Sequence, residues 1–310
     1  MKISFVIPCY CSEKTILSVV EEIRKTIRAE DAYEIILTND ASSDGTYHVI
    51  KQICKRYSNV IGINLAKNFG QHAALMAGFR QVSGDLVVCM DDDGQTPADE
   101  VYKLIDSINN DVDVVYANYI QKQHSGFRNW GSKINGKMTE WLLDKPKNLY
   151  VSSYFVAKRY IIDELLKYNN PFPYVIGLVL RTTKNIINVE VNHRGREIGH
   201  SGYTIKKLFM LWLNGFTAFS VRPLRIAIGL GSICAGGGFC YALYTIINKL
   251  VHPDVLLGWS SMMSAILIIG GMILLMLGMI GEYIGRIYIS INNSPQYVVK
   301  ELIINGEQVK

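Results

Sequence analysis

Three consecutive aspartates, Asp91, Asp92 and Asp93, directly follow a short apolar segment of this sequence. Adjacent carboxylates repel one another, so such a run is costly unless a cation or solvent compensates. On an extended backbone the side chains at positions i and i+2 point the same way, so Asp91 and Asp93 could share one metal ion. Mg²⁺ takes one or two carboxylates and completes its shell with water and phosphate oxygens. The run therefore predicts a site for Mg²⁺ or Mn²⁺ and a diphosphate, with a solvated acidic turn as the alternative.

A second polar segment, residues 40–46, contains two aspartates, two serines, a glycine and a threonine. Asp44 is suited to cap a helix, because Ser and Asp side chains accept hydrogen bonds from the free backbone N–H groups at a helix start. Asp40 follows one apolar stretch, and Tyr10 and Glu13 follow an earlier one. A carboxylate and an aromatic ring can bind a nucleobase and ribose by hydrogen bonding and stacking. The segment is thus compatible with a nucleotide site as well as with simple helix capping.

These residues must be brought together by the elements before them, which alternate between strand and helix patterns over the first 117 residues. In this part strands are predicted at 3–8, 34–38, 60–64, 86–90 and 112–117, and helices at 12–28, 46–57, 71–82 and 98–109; further on, strands resume at 151–156 and 186–191. Strands that alternate with helices of about ten to fifteen residues indicate an α/β fold with a parallel sheet covered on both faces. Ligands of such sheets bind beyond the carboxyl ends of the strands, which is where the acidic residues lie.

Two long apolar runs, residues 226–248 and 255–281, contain no Asp, Glu, Lys or Arg. Each reaches the roughly 20 residues that a helix needs to cross a bilayer. A pair of buried core helices is the alternative. Between residues 204 and 220 the pattern predicts an apolar helix with two lysines near its start, suited to the membrane interface.

The distribution of charge predicts how this hairpin is oriented. No signal peptide is predicted at the beginning of the sequence, so we expect the first domain to stay in the cytoplasm. The link between the apolar runs holds Lys249 as its single lysine or arginine, whereas basic residues flank the hairpin on its outer sides. These are Lys206, Lys207, Arg222, Arg225 and Arg286. Both outer ends are therefore expected in the cytoplasm, in a multi-pass protein of the inner (plasma) membrane.

Composition excludes other classes of function. The six cysteines form no C-x-x-C pair, so neither a zinc site nor a disulfide framework is predicted. The net charge of +5 is small, and no basic stripe interleaved with aromatic residues is present. We therefore expect no nucleic-acid partner.

Five motifs, taken together, resemble those of family-2 glycosyltransferases of the GT-A fold. They are Pro8-x-Tyr10-x-x-Glu13, Asn39-Asp40-x-Ser42-x-Asp44-Gly45-Thr46, Asp91-Asp92-Asp93-x-Gln95-x-Pro97, Arg196-x-x-Gly199-x-Ser201-x-Tyr203 and Gly281-Glu282-Tyr283-x-Gly285-Arg286. Within that family the sequence is most similar to the polyprenyl-phosphate glycosyltransferases, which include dolichol-phosphate mannose synthases, bactoprenol glucosyltransferases and the undecaprenyl-phosphate aminoarabinose transferase. The resemblance covers nearly the whole chain.

The resemblance implies a role for each group of residues. It assigns the nucleotide sugar to Pro8, Tyr10, Glu13, Asp40, Asp91 and Asp92. It assigns the metal, Mg²⁺ or Mn²⁺, to Asp91 and Asp93. It assigns the acceptor phosphate and the diphosphate to Arg128, Ser132, Lys133, Arg194, Arg196 and Ser201, and catalysis to Asp93, Gln95, Arg128 and Lys133. Arginine forks bind phosphate through two hydrogen bonds and lysine supplies a point charge, although a solvated surface is the alternative for Arg128 and Lys133.

One position departs from the family pattern. Relatives often carry Asp-Phe-Arg near Ser153-Tyr154-Phe155, and their Asp has been regarded as catalytic. Either another residue serves as the base here or no protein base is needed. We favour the second interpretation, because a phosphate monoester with a second pKa of about 6 is already largely ionised at neutral pH.

The resemblance also implies the overall organisation and partners. Residues 1–203 would form a cytoplasmic GT-A glycosyltransferase domain, 204–222 an interfacial helix, 223–287 two transmembrane helices and 288–310 a cytoplasmic tail. The reaction would invert the anomeric carbon as a UDP-, GDP- or dTDP-linked sugar is passed to an undecaprenyl-type polyisoprenyl phosphate. Membrane lipid is an expected partner, and relatives suggest a homotetramer.

Two other functions remain open at this point. A processive or saccharide-acceptor transferase would need a general base and a further aromatic and basic motif, for which the sequence offers no clear candidate. A non-catalytic component that transports lipid-linked sugars would be expected to carry ionisable groups inside its spans, and the two apolar runs hold none.

Overall fold

The computed structural model describes residues 1–119, 145–192, 222–252, 258–292 and 294–309. The chain divides into two compact units, Met1–Phe209 with Asn293–Lys310, and Met210–Asn292. Over the described residues, the first unit is built on one sheet whose strands are β1 (Lys2–Cys9), β2 (Ala32–Asn39), β3 (Val60–Leu65), β4 (Leu86–Cys89), β5 (Val114–Tyr119), β6 (Phe155–Lys158), β7 (Ile186–Val191), β8 (Val299–Ile304) and β9 (Glu307–Gln308). Its helices are α1 (Ile16–Thr26), α2 (Thr46–Arg56), α3 (Gln71–Phe79), α4 (Val101–Ile105), α5 (Arg159–Leu165) and α6 (Val175–Thr182).

The strands lie in the order β7-β5-β6-β4-β1-β2-β3-β8-β9. The predicted parallel sheet is confirmed for β3, β2, β1 and β4, which all run the same way. No direction was predicted for the strand at 151–156, and the observed β6 runs antiparallel to both β4 and β5. The hydrophobic pattern of a buried strand is the same in either direction, so the sequence could not reveal this reversal.

Apolar side chains on both faces of the central strands account for the buried core. On one face, Phe5 and Ile7 of β1 pack in a cluster with Ile16, Val20 and Ile23 of the amphipathic helix α1. On the other face lies α3, which is apolar all round and buried from Ala73 to Phe79. Helix α3 thereby fixes the loop that precedes it above the sheet.

Helix α3 approaches the sheet closely because it carries a glycine at the contact. A Cβ atom placed on Gly78 would lie 2.5 Å from Cγ1 of Val6 and 3.2 Å from Oγ1 of Thr38. Interiors are packed without room for such an atom, so only glycine allows this spacing.

The chain order reverses between β1 and β4, which are neighbours although β2 and β3 lie between them in sequence. Connections from β1 and β4 leave this point in opposite directions, which opens a crevice at the carboxyl ends of the strands. The segments that follow β1, β2 and β4 all begin at this edge.

The chain returns to the sheet after the second apolar run. Strand β8 pairs antiparallel with β3, and Ile63 lies opposite Leu302. Just before it, the side-chain amide of Gln296 donates hydrogen bonds to the backbone carbonyls of Tyr168 (3.2 Å) and Asn170 (3.0 Å). No strand was predicted in this segment, because β8 is short and its pairing partner lies more than 230 residues earlier.

The second unit consists of two long helices in its described part, α7 (Arg222–Val251) and α8 (Trp259–Ile291). Among the described residues, one stretch, Ile268–Ile289, is long and apolar enough to cross a membrane, with 22 residues and a mean hydropathy of 1.8. At about 1.5 Å per residue, such a helix covers the thickness of a hydrocarbon core. The interfacial helix predicted between residues 204 and 220 lies outside the described residues.

Candidate active site

The segment after β1 is joined to the segment after β2 by several hydrogen bonds. Each bond runs from a backbone N–H group of one segment to a side chain of the other. The pairs are Cys11 N to Ser42 Oγ (3.0 Å), Ser12 N to Thr46 Oγ1 (2.8 Å), Glu13 N to Asp44 Oδ2 (3.3 Å) and Gly45 N to Glu13 Oε2 (3.0 Å). The carboxylate of Glu13 therefore binds the residue before helix α2, and the two segments form one wall of the crevice.

The same wall is tied to the acidic run by Asp92. The backbone N–H of Tyr10 donates to Oδ2 of Asp92 at 2.9 Å, and Oγ1 of Thr15 donates to the backbone carbonyl of Asp92 at 2.7 Å. The ring of Tyr10 remains 55% exposed. The structure thus gives Asp92 a loop-holding contact and leaves an aromatic ring at the surface of the crevice. Pro8 is buried within β1, opposite Thr38, two residues before that ring.

Asp91 lies between two neutral hydrogen-bond donors. Nε2 of Gln71 donates to its Oδ1 at 3.0 Å, and Oγ of Ser153 donates to its Oδ2 at 2.5 Å. Burial raises the pKa of the Asp91 carboxyl to about 6, and repulsion from Asp93 and Asp92 adds to this rise, while the two hydrogen bonds oppose it. A positive charge beside Asp91 would therefore stabilise its ionised form.

Asp93 follows in a tight turn. Its Oδ1 accepts a hydrogen bond of 3.1 Å from the backbone N–H of Gln95, and Gly94 between them has a φ of +74°, which favours glycine. Asp93 and Gln95 are both partly exposed, as is Asp91. The turn thus presents two carboxylates and an amide side chain at the end of β4.

Asp40 is almost fully buried, with 3% of its surface exposed. Its two carboxylate oxygens accept hydrogen bonds from the backbone N–H groups of Phe69 (2.7 Å) and Gly70 (2.8 Å), directly before α3. Burial raises the pKa of Asp40, and these two bonds oppose the rise. Each carboxylate oxygen has a second lone pair, so the contacts leave acceptor capacity for a ligand.

The first turn of α3 contributes His72, which packs edge-on against Tyr174 with their ring centroids 5.0 Å apart. Burial lowers the pKa of His72 to about 4, so the ring is neutral at physiological pH. This contact places α6 against α3 beside Gln71.

The structure therefore brings together, around one end of the sheet, the residues predicted after β1, β2 and β4: Tyr10, Glu13, Asp40, Asp91, Asp92, Asp93 and Gln95. Gln71 was not predicted from the sequence, and Ser153 was noted only as the place of an absent acid. These residues lie 20 and 62 positions from Asp91 in the sequence, so no pattern of neighbouring residues indicates either contact. Six predicted residues lie outside the described part of the chain: Arg128, Ser132, Lys133, Arg194, Arg196 and Ser201.

Comparison with known proteins places this geometry in a family. The sequence pattern of glycosyl transferase family 2 matches residues 4–166, which is more than half of the chain and includes β1 to β6. The chain belongs to glycosyl transferase family 2. A second pattern, the GtrB C-terminal hairpin, matches residues 222–287.

This family-2 glycosyltransferase has a curated relative of similar length. It is 32% identical over 306 residues to the undecaprenyl-phosphate 4-deoxy-4-formamido-L-arabinose transferase of Proteus mirabilis (strain HI4320), and the match covers 97% of this chain and 94% of the relative. The family resemblance and the glycosyltransferase class expected from the sequence are thus confirmed.

Solved structures of glucosyl-3-phosphoglycerate synthase from Mycobacterium tuberculosis share the fold. The complex with phosphoglyceric acid matches with a TM-score of 0.51 and 22% identity, over 68% of this chain and 76% of that chain. The complex with Mn²⁺ and uridine-diphosphate-glucose matches with a TM-score of 0.51 and 20% identity, over 70% and 77% of the two chains. The expected GT-A-like α/β fold of the glycosyltransferase is confirmed by these matches.

Proposed function

We propose that this family-2 glycosyltransferase moves a sugar from a nucleotide-sugar donor to a polyisoprenyl phosphate of the undecaprenyl type. The observation that carries the proposal is the match to an undecaprenyl-phosphate sugar transferase over 97% of the chain, hairpin region included. The product would be a lipid-linked sugar for the cell envelope.

The donor is proposed to bind in the crevice at the ends of β1, β2 and β4. The exposed ring of Tyr10 offers a face for stacking a base, and the buried Asp40 offers carboxylate oxygens for its edge. Hydrogen bonds between the segments after β1 and β2 hold the wall of the crevice, and a wall held in this way lowers the entropy cost of binding. A UDP-, GDP- or dTDP-linked sugar is the proposed donor, and the fold neighbour from Mycobacterium tuberculosis was solved with uridine-diphosphate-glucose.

A divalent cation, Mg²⁺ or Mn²⁺, is proposed to be held by Asp91 and Asp93. Two carboxylates together with donor phosphate oxygens suit these ions, which need no larger protein ligand set. Among the described residues, no three or more His, Cys, Asp or Glu side chains are grouped so that they could hold a metal ion. The proposed site uses two carboxylates, and the phosphate oxygens of the donor would supply further ligands. The raised pKa of Asp91 also fits a site that gains a cation. When bound, the cation would neutralise charge on the departing nucleoside diphosphate.

The acceptor phosphate is proposed to act as the nucleophile without a protein base. Ser153 stands where relatives often carry an acid, and its hydroxyl is engaged with Asp91. A phosphate monoester is already largely ionised at neutral pH. The chain would therefore contribute alignment and charge neutralisation to an in-line displacement that inverts the anomeric carbon.

The basic residues that the family motifs indicate are proposed to neutralise the negative charge of the phosphates. The residues proposed for the acceptor phosphate and the diphosphate are Arg128, Ser132, Lys133, Arg194, Arg196 and Ser201. Gln95, at the end of β4, is proposed to lie near the sugar or a phosphate. Arginine and lysine suit this role because they bind phosphate oxygens through charge-assisted hydrogen bonds.

The chain is proposed to be anchored by a hairpin with both ends on the cytoplasmic side of the plasma membrane. The match of residues 222–287 to the GtrB C-terminal hairpin and the apolar stretch Ile268–Ile289 support this anchoring. The sheet holds β7 before the hairpin and β8 after it. A chain that leaves a sheet and rejoins it must begin and end on one side of a bilayer, which supports an even number of crossings.

The direct test is transfer of labelled sugar in membranes that contain the protein. Membranes are incubated with radiolabelled UDP-, GDP- and dTDP-sugars and undecaprenyl phosphate, with and without a chelator. Label is expected in the lipid extract with one donor, only when free divalent cation is present. Label in a polymer would instead support a processive transferase, and absence of label with every donor would contradict the proposal.

A further inference from the structure

A continuous line of polar groups runs from strand β8 to the segment after β1. It crosses β3 and β2 side by side, because Glu301 lies opposite Asn64, and Asn64 lies beside Asn39. Its hydrogen bonds are Tyr47 Oη to Glu301 Oε2 (3.1 Å), Asn64 Nδ2 to Glu301 Oε1 (3.4 Å), Asn39 Nδ2 to Asn64 Oδ1 (2.8 Å), Ser42 Oγ to Asn39 Oδ1 (2.6 Å) and Cys11 N to Ser42 Oγ (3.0 Å). We call this line the Glu301 relay.

The carboxylate of Glu301 gives the relay its direction. An ionised carboxylate accepts hydrogen bonds and donates none. Because the amide NH₂ of Asn64 points at Glu301, its carbonyl oxygen points at Asn39, whose own carbonyl oxygen then faces Ser42. The hydroxyl of Ser42 donates to that oxygen and keeps its lone pairs for the N–H of Cys11. The carboxylate of Glu301 at one end therefore determines that the hydroxyl oxygen of Ser42 accepts a hydrogen bond at the other end.

Burial makes these orientations costly to change. Asn39 and Asn64 are 2% and 8% exposed, so water cannot readily replace a lost partner. A buried polar group without a partner costs about 1–3 kcal/mol. The buried middle of the relay, Asn39 and Asn64, is therefore held as one unit rather than as a set of independent surface contacts.

The far end of the relay holds a strained part of the backbone. Cys11 has a φ of +55°, an uncommon conformation for a residue other than glycine. Such a residue persists where its surroundings hold it in place. Its neighbour Tyr10 carries the exposed ring proposed to stack on the base of the donor.

We propose that Glu301 is a positioning residue of the donor site, which acts through Asn64, Asn39 and Ser42 to hold the Cys11 peptide and thereby the ring of Tyr10. This inference rests on the proposed function for the meaning of the site, although the relay can be tested without any substrate. By this inference strand β8, which follows the hairpin, helps to position the wall of the nucleotide-binding crevice.

The first measurement is hydrogen exchange of backbone amides in the full-length protein in detergent. Glu301→Ala is expected to accelerate exchange several-fold in peptides covering residues 10–15 and 42–46, because local opening of this wall becomes easier. Glu301→Gln is expected to stay close to the unaltered protein, since its amide oxygen can still accept from Asn64. Glu307→Ala is the matched control, an exposed glutamate of the same β8–β9 hairpin, and is expected to change nothing there.

The second measurement separates KM from kcat. Glu301→Ala is expected to raise KM for the nucleotide sugar several-fold and to leave kcat nearly unchanged, because the relay ends at the Cys11 peptide of the donor wall, whereas the oxygens of Asp91 are held by Gln71 and Ser153. Unchanged exchange at residues 10–15 overturns the inference, and so does faster exchange that extends through α3, which would indicate general destabilisation. Faster exchange with an unaltered KM overturns the link to the donor site. If the unaltered protein turns over no nucleotide sugar, the proposed function fails, whereas the exchange result still decides the relay.

Discussion

The hydroxyl of Ser153 and the carboxylate of Asp91 are joined by a hydrogen bond of 2.5 Å, although 62 positions separate them in sequence. The contact fixes one oxygen of Asp91, and Gln71 fixes the other. A neutral donor thus stands where a second acid would have repelled Asp91. This arrangement suits a site in which Asp91 binds a cation and the nucleophile brings its own negative charge.

Replacement of Ser153 by alanine should slow transfer without abolishing it. The loss of one hydrogen bond to a charged group costs about 1.5–3 kcal/mol, which corresponds to a decrease in kcat/KM of roughly 13- to 160-fold. Initial rates with labelled donor and undecaprenyl phosphate measure this. A loss of more than about a thousandfold would mean that Ser153 takes part in the chemistry directly. An increase in kcat on Ser153→Asp would contradict a reaction without a protein base.

Asp93→Asn should abolish transfer and weaken binding of Mn²⁺. An amide oxygen carries no charge, so the ligand pair loses half of its negative charge at the end of β4. The Mn²⁺ dissociation constant can be measured by electron paramagnetic resonance in the presence of the nucleotide. Asp99→Asn, six positions further along and exposed, is the control and should leave both properties unchanged. Near-normal turnover of Asp93→Asn would remove the metal assignment.

Tyr10→Ala should raise KM for the nucleotide sugar by about tenfold, because base stacking on an aromatic ring contributes about 1–3 kcal/mol. Tyr10→Phe keeps the ring and should differ little from the unaltered protein. Calorimetric titration with the nucleotide product measures the same contribution without catalysis. Equal affinity in all three proteins would place the base elsewhere.

The burial of His72 should make the fold sensitive to acid. Its pKa is lowered to about 4, whereas an unfolded histidine titrates near 6.5. Above about pH 7 both states are neutral and the group contributes nothing to the pH dependence. As the pH falls from about 6.5 towards 4 the unfolded chain binds the proton first, so the free energy of unfolding decreases.

Between pH 7.5 and pH 5.0 the Tm of His72→Phe should therefore fall by less than the Tm of the unaltered protein. Each fall is measured from the protein's own Tm at pH 7.5. Differential scanning fluorimetry of the full-length protein gives the two Tm differences. His48→Phe, at an exposed position of α2, is the control and should keep the original pH dependence. Equal acid sensitivity of His72→Phe and the unaltered protein would show that other groups cause it.

Gly78→Ala should destabilise the first unit by about 1–3 kcal/mol, the usual cost of an added carbon in a packed interior. The new Cβ would meet Val6 at 2.5 Å, so α3 must shift away from the sheet. Because α3 begins at Gln71, which contacts Asp91, activity should fall together with Tm. An unchanged Tm would contradict the close approach of α3 to β1.

The sequence predicted those features that depend on neighbouring residues. Apolar runs located β1 to β4, and the acidic residues after them were correctly expected at one edge, because parallel strands share their carboxyl ends. It could not reveal the direction of β6, which its pattern does not encode. It also gave no sign of Ser153 and Gln71 as the partners of Asp91, nor of Glu301 beside Asn64, because these contacts depend on how distant segments pack.

The place of β8 in the chain has a consequence for biogenesis. A ribosome makes residues 299–304 only after both long helices, so until then the edge of β3 offers unpaired backbone groups. A nascent chain released before that point lacks Glu301 and the strand that pairs with the edge of β3. The sheet of the first unit is thus completed only after both long helices have been translated.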